Sequence, residues 1–247
     1  MRALTRPRRI GRLFGVPVFV SPLVVALLAI LLIHVAQRAG LAAAGEITGW
    51  LALAVASLLA HEGAHALAAR RLGLRVYDIR IGPLGGMARM EGVSHRPSIE
   101  LRVAAAGPAI NLTLAGLFLL VPGHIGTGGM LINLVFGLGN LLPAFPLDGG
   151  RMLRAWLAMR APLLAATRAA THISHWILII ALAVAGWYGE LLLALLLCGF
   201  LYLAGREELM QVLLQTGTES TLESGEVMRR AFRSEDEEDD PSPYDPI

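Results

Sequence analysis

Long apolar stretches dominate the chain, and short polar segments separate them. A helix that crosses a bilayer needs about 20 mainly apolar residues, and most of these stretches approach that length. The pattern therefore predicts an all-α polytopic membrane protein with about six transmembrane helices. The predicted spans are 16–36, 48–71, 100–121, 129–145, 172–188 and 190–205, so that residues 1–205 form one membrane-embedded domain.

The segment between the second and third spans has a different period. Residues 76–81 and 87–91 alternate between apolar and polar side chains, and glycines lie between them. Alternation on both sides of a glycine-rich turn is typical of a β-hairpin. We therefore expect a small hairpin or sheet at the membrane edge.

Three other segments lie outside the apolar spans. Residues 40–48 are predicted to turn between the first two spans. Residues 149–171 carry four arginines among apolar residues, which favours a helix along the membrane surface. After Arg206 we expect a cytosolic segment that is helical at first and then a disordered tail, because residues 234–240 read SEDEEDD.

Composition and charge are typical of a protein embedded in a lipid bilayer. Hydrophobic residues make up 55% of the chain and charged residues only 16%, against about 25% in soluble domains. All 21 basic residues are arginines, and 20 of them fall in 1–15, 70–102, 148–171 and 206–247. Positive residues accumulate on the cytosolic side, so both termini are predicted to be cytosolic, at the inner membrane of a bacterial cell. Arginines at membrane boundaries argue against a nucleic-acid partner.

A metal-binding motif, His61-Glu62-x-x-His65, lies inside the second apolar span. An ionisable group at membrane depth costs at least about 2.5 kcal/mol, so such a group is by default a functional one. Residues four apart share one face of a helix, so both imidazoles can bind one ion while Glu62 lies beside it. This pattern favours a hydrolytic zinc site with Glu62 as the general base.

The third ligand must come from another segment, because catalytic zinc sites have three protein ligands and an open position. Asp148 is the candidate, since it follows the apolar, proline-interrupted run that begins at Asn140. The predicted topology also places Asp148 at the same cytosolic depth as the two histidines. An alternative role for Asp148 is that of a helix N-cap, which aspartate often occupies.

The motif at 61–65 is followed by GPAIN at 107–111 and by NLLPAFPLDG at 140–149. Together these motifs resemble the site-2 protease family of intramembrane metalloproteases. The resemblance implies a core of membrane helices that holds one zinc ion per chain and cleaves transmembrane segments of other proteins, commonly regulators such as anti-sigma factors. The segment between the second and third spans is too short for a PDZ domain, and the segment after Arg206 is too short for a CBS pair, which are found in parts of the family. We therefore expect a minimal form without these domains, and any regulatory membrane partner is left unspecified.

Residue roles follow from the resemblance and from the residue types. Glu62 would take a proton from water and later pass it to the leaving amine. Asn140 is a candidate for stabilising the oxyanion or for holding substrate backbone. For Asn140 and Asn111 alike, the alternative is a hydrogen bond between helices. A substrate helix must unwind before attack, and an edge strand of the hairpin would hold the extended segment by β-addition.

Three rival functions use similar residues. A membrane metal transporter also places histidines and a carboxylate at depth, but it has no need of Glu62 beside them. A prenyl-protein protease would want a glutamate ligand on a later helix, and none fits as Asp148 does. A non-proteolytic metal-binding scaffold is disfavoured because the motif residues are intact.

Overall fold

A computed structural model of the chain describes residues 7–82, 85–91, 96–192, 194–210 and 212–214. Its elements in chain order are β1 (Arg8–Leu13), β2 (Val16–Val20), α1 (Pro22–Arg71), β3 (Val76–Gly82), β4 (Gly85–Met90), α2 (Pro97–Phe118), α3 (Gly123–Asn140), α4 (Asp148–Ala158) and α5 (Leu163–Trp187). Helical residues at 191–192, 194–210 and 212–214 are called α6.

The fold is mostly helical with one small sheet, as the apolar pattern predicts. Three helices of the described residues are long and apolar enough to cross a bilayer, where about six were expected. They are Pro22–Arg71, Pro97–Phe118 and Leu163–Trp187. The difference arises partly because two predicted spans join in α1.

Helix α1 contains 50 residues and departs from helical geometry at Gly40, where φ is 86° and ψ is 171°. The prediction of a turn over residues 40–48 is therefore wrong beyond its first residue. The alanine-rich segment that follows has high helix propensity, so the helix resumes at once. The kink divides α1 into two limbs, 22–39 and 41–71.

The start of α1 corrects the first predicted span. The side chain of Ser21 accepts a hydrogen bond from the Leu23 backbone N–H at 3.3 Å, and Pro22 occupies the first turn. Serine at the cap and proline just inside are a strong helix start. Residues 16–20, which the apolar pattern placed in the span, form β2 instead, because Val16 and Val18 alternate with more exposed neighbours.

The four strands form one sheet in the order β1-β2-β3-β4. The predicted hairpin is present as antiparallel β3 and β4, with Ile79 opposite Ala88. Strand β2 pairs in parallel with β3, and the Ser21 N–H donates to the Ile81 carbonyl at 2.9 Å. A straight 50-residue helix would extend about 75 Å, so the two limbs of α1 must fold back to bring these strands together.

The sheet packs directly on the motif limb of α1. Ala66 belongs to the same buried cluster as residues of β2 and β3. A Cβ atom added at Gly63 would lie 2.9 Å from Leu13 Cδ2 and 3.3 Å from Phe14 Cε2. Arg70 also donates a hydrogen bond to the Phe14 carbonyl. The end of β1 and the β1–β2 turn therefore contact α1 at Gly63, between His61 and His65.

The segment 149–171, which was predicted to lie along the membrane surface, consists of two elements: α4 ends at Ala158, and residues 163–171 begin α5. Thr167 and Thr171 are buried there, and their hydroxyls donate to the carbonyls of Leu163 and Thr167 at 2.7 and 2.9 Å. Hydroxyls satisfied within their own helix can be buried, so these two threonines do not mark a surface, whereas Arg160 and Arg168 of the same segment are exposed.

The described residues of α6 after Arg206, 207–210 and 212–214, are helical, in agreement with the predicted helical start of the C-terminal segment. Val212 is buried, with 3% of its surface exposed. The predicted disordered tail, including residues 234–240, lies outside the described residues. The domain boundary at 205 stays a prediction.

Candidate metal centre

Two helices bring the predicted ligands together. His61, Glu62 and His65 lie on the second limb of α1, with only 3%, 6% and 4% of their surfaces exposed. Asp148 is the first residue of α4 and is 6% exposed. The N-cap of α4 is Leu147, so the alternative role of Asp148 as N-cap does not apply.

The three ligand atoms converge on one point. Asp148 Oδ2 lies 2.9 Å from His61 Nε2 and 3.2 Å from His65 Nε2, and the two imidazole nitrogens are 3.1 Å apart. Among the described residues, these side chains form a group of donors within 4.8 Å of one another. The predicted trio is therefore within reach of a single ion.

The Nδ1 atom of each histidine forms a hydrogen bond outside the cluster of ligand atoms. His65 Nδ1 lies 2.7 Å from the carbonyl oxygen of Val103, and His61 Nδ1 lies 2.5 Å from Asn111 Oδ1. Both partners are acceptors, so each Nδ1 must carry the proton and donate. The lone pair of each Nε2 then faces the Asp148 carboxylate and the other histidine.

The inward-facing atoms fit a cation. The two imidazole nitrogens and the carboxylate oxygen, which lie within 3.2 Å of one another, can all donate an electron pair, so a cation placed among them would bind all three. Two histidines and a carboxylate with an open position are a known ligand set of catalytic zinc. His61, His65 and Asp148 therefore have the chemistry and the arrangement to hold zinc.

A chain of amides orients His61. Asn111 Nδ2 donates to Asn133 Oδ1 at 2.8 Å and approaches the Ser57 carbonyl at 3.4 Å, which turns Asn111 Oδ1 toward the imidazole. Asn133 donates in turn to the Gly129 carbonyl at 2.9 Å. Both asparagines are fully buried. Asn111 thus makes hydrogen bonds between helices, which was the alternative role predicted for it. These bonds also hold the His61 imidazole in place.

Asn133 was not singled out from the sequence, although a signal existed. It is an amide in the middle of a mostly apolar and glycine-rich helix, whose other amide, Asn140, is the last residue. A polar residue at such a position needs a buried partner, and that partner is often functional. The pattern could therefore have indicated a second contact to the metal-binding helix.

Two glycines let backbone approach the site. A Cβ atom added at Gly107 of α2 would lie 2.6 Å from His61 Nε2 and would overlap His65 Nε2 as well. A Cβ atom at Gly86 of β4 would lie 2.5 Å from Glu62 Oε1. The metal-facing nitrogens therefore abut α2, and the Glu62 carboxylate lies beneath β4.

Gly107→Ala is expected to abolish zinc binding while the protein still folds, because the added methyl group would occupy the space beside both Nε2 atoms. Gly116→Ala on the same helix is the matched control, since nothing lies within 4 Å of the added methyl group. Zinc content of the purified proteins, measured by elemental analysis, checks the prediction. Equal zinc in both variants would contradict it.

Asn140 lies at the C-terminal end of α3, where its side-chain amide donates to the Phe136 carbonyl of its own helix at 2.9 Å. This hydrogen bond lies within one helix, so it is not the bond between helices that was the alternative for Asn140. It also does not involve His61, His65 or Asp148. Its part in oxyanion stabilisation stays a prediction.

The fold and the site define a helical protein with a buried centre of two histidines and one carboxylate. The sequence profile of Peptidase family M50 matches residues 48–126 and 123–184, more than half of the chain. The chain therefore belongs to Peptidase family M50, the family of the site-2 proteases, and the resemblance drawn from its motifs is confirmed. This is a membrane-embedded family of metalloproteases.

Individual relatives agree with this assignment. A Mycobacterium tuberculosis protein named as zinc metalloprotease Rip3 is 40% identical over 124 residues, which is 45% of this chain and 32% of that protein. Zinc metalloprotease MJ0392 of Methanocaldococcus jannaschii is 28% identical over 220 residues, covering 84% of this chain and 62% of the relative. The chain thus spans less than two thirds of the length of either curated relative.

A solved structure shares the fold. The site-2 protease from Methanocaldococcus jannaschii superposes with a TM-score of 0.62 at 26% sequence identity. The match covers 82% of this chain and 95% of the other. The fold of this chain therefore follows a known architecture.

Proposed function

We propose that this protein is a zinc-dependent intramembrane endopeptidase that cleaves transmembrane segments of other membrane proteins. The observation that carries the proposal is the convergence of His61, His65 and Asp148 within 4.8 Å, with the buried Glu62 carboxylate alongside. Membership of a metalloprotease family supports it. A transporter or an inert scaffold would have no use for a carboxylate placed next to the ion but outside the ligand set.

His61, His65 and Asp148 would hold one zinc ion per chain, oriented by Val103 and Asn111. When bound, zinc would supply Lewis acidity to polarise the scissile carbonyl and lower the pKa of a water molecule. Glu62 accepts the proton of the attacking water and passes it to the leaving amine. Asn140 is assigned to the oxyanion or to the substrate backbone.

Strand β4 is the proposed binding place for the substrate. It is one of the two outer strands of the described sheet, and Gly86 within it lies against the Glu62 carboxylate. An outer strand offers unpaired N–H and C=O groups that an extended peptide can bind. A substrate unwound along β4 would bring its peptide bonds close to the general base.

The proposed topology has six membrane segments. The two limbs of α1 count separately, and α2, α3, α5 and α6 supply the other four. The arginine distribution supports cytosolic termini, and we place the protein in the inner membrane of a bacterial cell. Single-span proteins, including anti-sigma factors, are the proposed substrates, and a membrane protein that delivers them is the proposed regulatory partner.

Metal removal tests the proposal. The purified protein in detergent is expected to cut a single-span reporter, to lose this activity when a zinc chelator is added, and to regain it when zinc is restored. Fragments are read on a gel and by mass spectrometry, which also reports the cut position. Undiminished cleavage after dialysis to zinc-free protein would overturn the metal assignment, and intact reporter in every sample would overturn the activity.

A further inference from the structure

A buried arginine of α4 joins this helix to α2 and α6. Arg154 of α4 has 1% of its side chain exposed, and its guanidinium donates to Glu100 of α2 and to Glu208 of α6. The distance from Arg154 Nη1 to Glu208 Oε1 is 2.5 Å. Arg154 lies on the same short helix as Asp148, so the cluster acts on the helix that carries the third ligand.

The arginine also covers the loop that leads to Asp148. Its Cζ atom is 5.3 Å from the centre of the Phe145 ring, and Phe145 is fully buried. The Phe145 N–H donates to Ser174 Oγ of α5 at 3.0 Å. A Cβ atom added at Gly205 of α6 would lie 3.4 Å from Phe145 Cβ. Helices α4, α5 and α6 therefore all contact this one residue.

The loop and the first turn of α4 are packed as a unit. A Cβ atom added at Gly150 would lie 2.7 Å from the Phe145 nitrogen, and one added at Gly149 would overlap the carbonyl of Leu141. With so little space between them, the loop and the helix start cannot shift separately. A displacement of Phe145 is therefore expected to move the first turn of α4, which carries Asp148.

We propose that Arg154 is a positioning residue for Asp148, and that Glu208 places α6 so that the ligand loop stays in register with the histidines. Glu100 is 1% exposed and by itself balances the charge of Arg154. Glu208 is 30% exposed and is a second carboxylate on the same guanidinium, so its contribution is the attachment of α6. The inference rests on the proposed metallopeptidase function and extends the site to a helix outside the ligand set.

Glu208→Gln in the full-length protein is the central test, with Glu207→Gln as the matched control on the exposed neighbour. Glu208→Gln preserves side-chain volume and leaves the Arg154–Glu100 pair in place, so the protein is expected to fold. Zinc affinity, measured by competition with a chelator, is expected to fall about tenfold, as for other residues that orient metal ligands. The absorption spectrum of the cobalt-substituted protein is expected to change, because it reports ligand geometry.

The kinetic expectation is a lower kcat with an unchanged KM for the reporter, since a positioning residue does not touch the substrate. Zinc affinity and a cobalt spectrum identical in the Glu208→Gln and Glu207→Gln proteins would overturn the inference. This readout is separate from the proposed activity: a wild-type protein that binds zinc but cuts nothing would remove the peptidase assignment, while the affinity difference would still decide the role of Glu208.

A double-mutant cycle supplies the second test. Arg154→Lys keeps the charge but loses the planar fork that binds two carboxylates at once. If Glu208 acts through Arg154, the combined variant is expected to lose less zinc affinity than the product of the two single losses. Losses that multiply would show independent action and would overturn the coupling.

Discussion

Glu62→Gln is expected to abolish cleavage and to leave zinc binding intact. The glutamine keeps the shape of the side chain beneath β4 but cannot accept a proton. General-base catalysis contributes about 10²–10⁴-fold, and the reporter assay should lose at least that factor in kcat. Glu62 is not one of the three ligand residues, so the zinc content of the variant should match that of the wild type.

Glu46→Gln is the matched control for this variant, because Glu46 is an exposed glutamate on the same helix α1. Co-expression of each variant with candidate single-span proteins would reveal natural substrates, since trimmed products should appear with wild type and with Glu46→Gln alone. Near-normal cleavage by Glu62→Gln would remove the base assignment without touching the metal assignment.

Asp148→Asn is expected to lower zinc affinity by more than the roughly 10–100-fold typical of residues that only orient a ligand. The substitution keeps the size of the side chain but removes the negative charge that faces both Nε2 atoms. Cleavage should fall in parallel, and added zinc should restore part of it. Chelator competition and activity at increasing zinc concentration measure the two effects.

Asp78→Asn is the control for Asp148→Asn, because it removes a buried carboxylate that is not a metal ligand. Asp78 is a buried aspartate of β3 that accepts a hydrogen bond from Arg89 Nε at 2.7 Å, and this partner holds the pKa of the carboxyl below its usual value. Its removal should lower the melting temperature and leave zinc affinity unchanged. Unchanged zinc affinity in Asp148→Asn would point to another third ligand.

The local features of this protein could be predicted from sequence because each depends on neighbours along the chain. The motif at 61–65 needs only a helix to bring both imidazoles to one face, and the hairpin of β3 and β4 needs only alternation around a turn. Asp148 could be found because an isolated carboxylate follows an apolar, proline-interrupted segment. Its convergence with the histidines required the fold.

The remaining features depend on contacts between distant segments. Strand β2 has the composition of a membrane span, and its pairing with β1 on one side and with Ile79 and Ile81 of β3 on the other makes it a strand. Arg154 has the pattern of a surface arginine, and only Glu100 and Glu208, distant on either side in the chain, allow it to be buried. Apolar periodicity cannot distinguish a solvated charge from one that is paired inside the protein.

The parallel pairing of β2 with β3 has a consequence for how the protein is made. Strands β1 and β2 precede α1 in the chain, so β2 has no partner strand beyond β1 until Ile81 of β3 has been translated. A two-stranded hairpin is at best marginally stable alone, so the sheet that touches Gly63 and Glu62 is complete only when β3 and β4 have been made. The surroundings of the Glu62 side chain are therefore completed by chain that follows the motif helix, and not by that helix alone.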